Sequence, residues 1–250
     1  MPYIITRRFA ILFFWIACTG LTSCSLAHLQ VNHCVDFDVT GDGSNPAWAH
    51  ADWHALERIG EGLPYTARFK ILYSKTGLYI LMDGSDSKLV CTRDGDGSDL
   101  YMEDVFEFFV KTDQSQDCYF EYEISPRGYH LVLRVSGSWH PWNHEGKKRV
   151  RRATSIVGGE KKHGAAVDGW SAEFFLPYEL MSNSADEPPP GPGTRWRANF
   201  YRIDYDVSDG VDPESISYWT WAPLVGTFHQ VDKFGVLVFA EPAVATRQDD

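Results

Sequence analysis

A period of two in side-chain character restricts this chain's fold more than any other feature. From about residue 68 to residue 240, short apolar or alternating runs follow one another, each closed by a turn signal. RFKILYS (68–74) and LYILMDG (78–84) flank Lys75-Thr76-Gly77, a connection short enough for a hairpin. DVFEFFVK (104–111), YFEYEIS (119–125) and HLVLRVS (130–136) follow, then GWSAEFFLP (169–177), RWRANFYRIDYD (195–206) and FGVLVFA (234–240). No segment holds a 3.6-residue period for long, and only 46–59 and 177–182 read as short helices. Strand after strand without helical crossovers predicts an all-β fold, an antiparallel β-sandwich of immunoglobulin-like or jelly-roll type.

Several of these strands have two distinct faces. Phe106, Phe108 and Val110 alternate with Val105, Glu107 and Phe109; Phe120, Tyr122 and Ile124 alternate with Tyr119, Glu121 and Glu123. Trp196, Ala198 and Phe200 alternate with Arg195, Arg197, Asn199, Tyr201 and Tyr205. If the polar faces share one sheet, they form a charged and aromatic surface suited to a polyhydroxylated ligand. The structural alternative is a solvated outer face with cross-strand Glu–Arg pairs.

The N-terminus addresses the location. Arg7-Arg8 precede the apolar run FAILFFWIACTG, which is too short for a stable transmembrane helix and reads as an export signal. Leu21-Thr22-Ser23-Cys24 follows where that run ends and resembles a lipobox, with Cys24 as the lipidated residue; an ordinary signal peptide is the alternative. The expected organisation is a leader at 1–23, a tether at 24–35, one module at 36–241 and a tail at 242–250. The protein is thus expected to be exported and lipid-anchored to a bacterial cell membrane, at the outer membrane or cell surface, touching membrane only through the lipid. Because the leader holds Arg7 and Arg8 and no acid, the remainder carries 21 basic against 34 acidic residues. Such a surface repels phosphate backbones and excludes nucleic acid as the natural partner. Cys34, Cys91 and Cys118 leave one disulfide or three thiols equally open.

Five motifs in order carry a resemblance. They are DLYMEDVFEFFV (99–110), YFEYEISPRG (119–128), GWSAEFFLP (169–177), WRANFYRID (196–204), and WTWAP (219–223) close before Phe234-Gly235. Together they resemble the family 9 carbohydrate-binding modules over about 36–240. The resemblance implies a β-sandwich whose sugar site uses two aromatic rings, a carboxylate and an amide. Tyr101 stands where the family's sugar-binder has Trp; Trp221 matches the second ring, with Trp219 as a close alternative, one of the two being expected to face outward. Glu107 matches the carboxylate, and Asn199 lies on the amide-bearing strand, where Arg197 is a further polar candidate. The family's middle-strand Arg aligns near Glu123, so that contact is absent. A neutral oligo- or polysaccharide is the expected ligand, stacked on aromatic faces and hydrogen-bonded through its hydroxyls. Secreted or surface glycoside hydrolases are the expected partners, on separate polypeptides, in polysaccharide breakdown.

Other classes have weaker support. A glycoside hydrolase needs two carboxylates at a defined gap, for which Glu107, Glu121, Glu123 and Glu173 are strand candidates. No HExxH, nucleophile elbow or Ser-His-Asp order is present. Haem-binding sandwich domains of the DOMON type use Met or His ligands, and Met82 and His130 lie in strands. Asp94, Asp96 and Asp99 in DGDGSD have the spacing of a calcium loop without its twelfth-position Glu, an acidic turn being the alternative. A structural calcium at 94–99 is the only cofactor expected.

Overall fold

The computed structural model describes residues 26–136, 140–143, 149–182, 189–206 and 216–242. The leader, Cys24, residues 183–188 of the proline-rich loop and most of the tail lie outside them.

Among the described residues the fold is all-β, with one short helix, α1 (Tyr178–Met181). The strands are β1 (His28–His33), β2 (His54–Ala55), β3 (Glu57–Ile59), β4 (Ala67–Tyr73), β5 (Gly77–Ser85), β6 (Val105–Lys111) and β7 (Cys118–Ile124). They continue with β8 (His130–Ser136), β9 (His140–Asn143), β10 (Arg151–Val157), β11 (Gly169–Pro177), β12 (Arg195–Tyr205), β13 (Ile216–Thr220) and β14 (Gly235–Phe239). One sheet runs β10-β11-β5-β4, the other β14-β12-β6-β7-β8-β9, with β13 and then β3 extending from β12.

β1 joins the two sheets. Its first residues pair in parallel with β14, and Asn32 and His33 pair in parallel with β4, so one strand turns the corner between layers. These parallel pairings depart from a purely antiparallel sandwich. They also place His28–His33 in the fold rather than in a tether. A six-residue run such as HLQVNH has alternation too short to be told from a linker by pattern alone.

The apolar faces read from the sequence meet between the sheets. Phe69 of β4 stacks on Phe200 of β12 at 3.6 Å, Phe106 of β6 meets Trp170 of β11 at 4.1 Å, and Tyr122 of β7 meets Phe174 of β11 at 4.5 Å. The core also contains a charge. Arg202 is wholly buried, donates to the carbonyls of Thr66 and Ser85 at 2.9 and 2.7 Å, and pairs with Asp86 and Asp204. Gly84 makes room for it, since a Cβ there would lie 2.4 Å from the guanidinium.

Each outer face is covered by loops. Over β5 and β11, the segment ahead of β2 packs Phe37 and Trp48 against Tyr79, Leu81 and Phe175. Glu173 anchors this cover, accepting from the amides of Thr40 and Gly41 at 2.8 Å, the Thr40 hydroxyl at 2.8 Å and the Trp48 indole at 2.9 Å. Over the other sheet lie the turn at 99–103 and the loop at 221–234, packed on Phe109, Tyr119, Tyr201, Val105 and Ile203. Cys34 and Cys91 are buried free thiols.

Candidate functional site

Between those two loops and the sheet lies a cavity of about 710 Å³. Strand alternation builds its floor. Glu107 and Phe109 of β6, Glu121 of β7, Leu131 and Leu133 of β8, and Ile203 and Tyr205 of β12 all project from the face opposite the core. Tyr101 on the single-turn 3-10 helix Leu100–Met102, Tyr218 of β13 and Phe228 on the long loop form the walls. Tyr101 is 45% and Tyr218 36% exposed, so their rings are available. The Tyr205 hydroxyl donates to the Tyr101 carbonyl at 3.0 Å and holds that turn over the floor. Phe228 is set by stacking on Tyr201 at 4.0 Å.

The floor is acidic. Glu107 and Glu123 are direct cross-strand partners and Glu121 pairs with Phe109, so three carboxylates share one face of two adjacent strands. Glu107, Glu121 and Glu123 are 2%, 5% and 0% exposed. Glu107 Oε2 and Glu121 Oε2 lack a hydrogen-bond donor, while Glu123 lies within reach of the Glu121 carboxyl and the Tyr101 amide. Burial first, and then like charge, lifts Glu107 and Glu123 well above the ordinary carboxylate range. Burial pushes Glu121 up to about 7. The base lining this cavity is His229, whose Nδ1 is 3.9 Å from Glu121 and bonds to the Tyr119 hydroxyl; burial lowers it to about 4, which leaves it neutral. Among the described residues no Lys or Arg lines the cavity.

Tyr101 and Glu107 therefore meet at one cavity, and the other four sugar-contact candidates do not. Trp221 packs edge-on against Phe69 and Phe200, on the core side. Trp219 is 1% exposed beneath the Arg202 guanidinium, 5.1 Å away. Two residues apart, the tryptophans share a side, so the expectation that one faces outward is corrected. The outward ring is Tyr218, immediately before Trp219 in β13. Asn199 spends its amide on Tyr201, Thr220 and Ala222 and its carbonyl on the amides of Phe200 and Ala222, which fastens the start of the long loop. Arg197 donates to the Asp232 carbonyl at 2.8 Å, fastening that loop's far end. Tyr218 could have been found by counting from Trp219. Phe228 and His229 stand in an aperiodic loop and carried no signal.

The three aspartates expected to hold a metal are spread over different contacts. Asp94, Asp96 and Asp99 do not converge: Asp96 takes a bidentate contact from Arg152 at 2.8 Å and lies 3.5 Å from His130, while Asp99 lines the cavity. The acids that do converge, with oxygens within 4.8 Å of one another, are Asp86, Asp104 and Asp204. Their cation is Arg202, and Asp104 accepts from the amides of Val90 and Tyr205, so this donor set does structural work. Met82 is fully buried in the core, His130 is 1% exposed, and neither lines this cavity. Glu173, one of the hydrolase candidates, is committed to the Thr40–Gly43 loop.

Comparison with known proteins agrees with this architecture. Residues 39–168 match the sequence model of the carbohydrate family 9 binding domain-like family. The chain belongs to this family. Its fold is similar to that of a proposed carbohydrate-binding protein from Bacteroides uniformis, with a TM-score of 0.72 at 16% identity over 85% of this chain and 99% of that one. It is also similar to a family 9 carbohydrate-binding module from Caldicellulosiruptor kristjanssonii in complex with cellotriose, with a TM-score of 0.62 at 16% identity over 88% and 98%. The module from that organism in complex with glucose scores 0.62 at 15% identity, over 88% and 99%. No curated protein matches the chain significantly. In this family 9-like domain the aromatic and acidic cavity lies on the outer face of the sheet built around β6, β7 and β12.

Proposed function

We propose that this domain is a non-catalytic saccharide-binding module whose site is the cavity over β6, β7 and β12. The observation that carries this reading is the joint lining of one cavity by Tyr101, Tyr218 and Phe228 rings and by the Glu107 and Glu121 carboxylates, in a member of a carbohydrate-binding family. Pyranose C–H patches would rest on the rings while hydroxyls reach the floor carboxyls. A volume of about 710 Å³ holds a few sugar units, not a long buried chain. The relatives' cellotriose and glucose complexes support a pyranose ligand.

On this reading the protein is exported and held to a bacterial membrane by lipid on Cys24. There it would support extracellular polysaccharide breakdown by separate glycoside hydrolases. Cys24→Ala should release the protein from membranes or block its maturation; unchanged fractionation would remove the anchoring part of the proposal.

Binding is tested by calorimetric titration of the detergent-purified full-length protein with saccharides selected on a glycan array. Glu107→Ala should weaken binding roughly ten- to over a hundredfold, the scale of one lost hydrogen bond to a charged group at about 1.5–3 kcal/mol. Tyr101→Ala should remove a stacking face and weaken binding as well. Retained affinity in a folded Tyr101→Ala, Glu107→Ala double variant would place the site elsewhere. Release of reducing sugar by the pure protein would instead establish a hydrolase.

A further inference from the structure

Buried carboxylates without partners are costly unless a ligand completes them. The floor holds two, with a third carboxyl beside them, and their arrangement bears on what the ligand must bring. Glu107 and Glu121 line the cavity, each more than nine-tenths buried and each with an unpartnered oxygen. Glu123 lies directly beside Glu107 on the neighbouring strand, within reach of the Glu121 carboxyl and the Tyr101 amide. Among the described residues no Lys or Arg lines the cavity, so these residues offer the floor no permanent counter-charge there.

The rest of the lining suits a cation. Tyr101, Phe109, Tyr205, Tyr218 and Phe228 present ring faces or edges around the same space. Ring quadrupoles attract an ammonium, and the attraction grows when water is excluded. A bare metal ion fits less well. Among the described residues, the acids whose oxygens fall within one ion's reach are Asp86, Asp104 and Asp204, not these three. A floor spread over two strands suits a larger ligand that distributes one positive charge and several hydroxyls.

Resting on the proposed saccharide site, we infer that its ligand is a sugar carrying a free amino group, a hexosamine whose ammonium is received by Glu121 and Glu107. A neutral sugar would satisfy hydroxyl contacts and leave the floor carboxyls protonated, whereas an ammonium supplies the counter-charge that lets them ionise. This narrows the neutral ligand expected from sequence. Glu121 is the natural acceptor, since it titrates near neutrality and an adjacent cation draws it to the ionised form.

The test uses the detergent-purified full-length protein and three tetrasaccharide probes: the β-1,4 glucosamine tetramer, its fully N-acetylated form, and cellotetraose. Titrations run near pH 6, where the amine is charged, at low and at high salt. The expected result is at least tenfold tighter binding of the glucosamine tetramer than of either neutral probe, with that preference shrinking in salt. Glu121→Gln, close in shape to the wild type, should bring the three probes within a few-fold of one another. The wild-type ratio decides without any variant, so a poorly folded Glu121→Gln leaves the test intact. Equal or tighter binding of cellotetraose by the wild type overturns this inference and leaves the saccharide-binding reading standing. If neither these probes nor any glycan on an array binds, both fall together.

Discussion

Trp219 and Tyr218 are neighbours in β13 with opposite fates. Trp219 is buried against Arg202 in the inter-sheet core, while Tyr218 stands 36% exposed at the cavity wall. Removing a buried tryptophan leaves a void that its surroundings only partly fill, at about 3–5 kcal/mol. Trp219→Ala should therefore lower unfolding stability by that amount in a urea titration. Tyr218→Ala should leave stability within about 1 kcal/mol of wild type, as expected for an exposed side chain, and weaken saccharide binding. A Trp219→Ala protein as stable as the wild type would show that the ring is not packed as described. Trp221 and Asn199 belong with Trp219, since one packs in the core layer and the other fastens a loop.

The covering segments are held by a few polar anchors. Glu173 on β11 accepts from three backbone amides, a hydroxyl and an indole, and so ties residues 40–48 to a sheet face they would otherwise only rest on. Charge-assisted bonds of this kind contribute about 1.5–3 kcal/mol each and are not additive. Glu173→Ala should cost at least about 2 kcal/mol. It should also speed amide exchange of Thr40 and Gly41 before any change in β4 or β5. Exchange that rises uniformly across both sheets would argue against a local anchor. At the sheet junction, Gly235 opens β14 where it meets Trp221. A Cβ there would lie 2.4 Å from that ring and 3.0 Å from the Ala27 carbonyl. Gly235→Ala should accordingly loosen the pairing of β1 with β14 and lower the thermal midpoint, with the loss of protection centred on Leu29–Val31.

Whole-molecule stability should depend on pH through the cavity floor. Glu107, Glu121 and Glu123 bind protons more tightly folded than unfolded. A raised carboxyl contributes stability that is complete below its unfolded pKa and lost as pH climbs through its folded value. His229, lowered to about 4, acts oppositely between about 4 and its ordinary value of 6.5. The two effects oppose each other in mild acid and separate above pH 6.5, where only the carboxyls continue to titrate. Without ligand, the thermal midpoint should fall from pH 6.5 to 8. Glu121→Gln should flatten this fall and be the more stable protein at pH 8. A wild-type midpoint that rises across the window would contradict the buried, unpartnered state of the floor.

Local pattern was enough to specify the all-β class, the bounds of β4 to β8, β11 and β12 to within about a residue, and which face of each is apolar. These depend on a two-residue period that every strand carries in itself. Tyr101 and Glu107 were legible too, because the motif around β6 places both near one face. What a period cannot contain is the partner of a face. Only the tertiary structure decided that residues 28–33 close the sandwich as a corner strand. It also decided that Glu107, Glu121 and Glu123 collect on one floor through pairing of β6 with β7. Trp221 turned inward because its edge packs against the stacked rings of Phe69 and Phe200. Phe228 and His229 reached the site on a loop with no period, held at its ends by Asn199 and Arg197 of β12. Alternation belongs to a strand by itself; a binding site belongs to the register between strands and to the loops anchored across them.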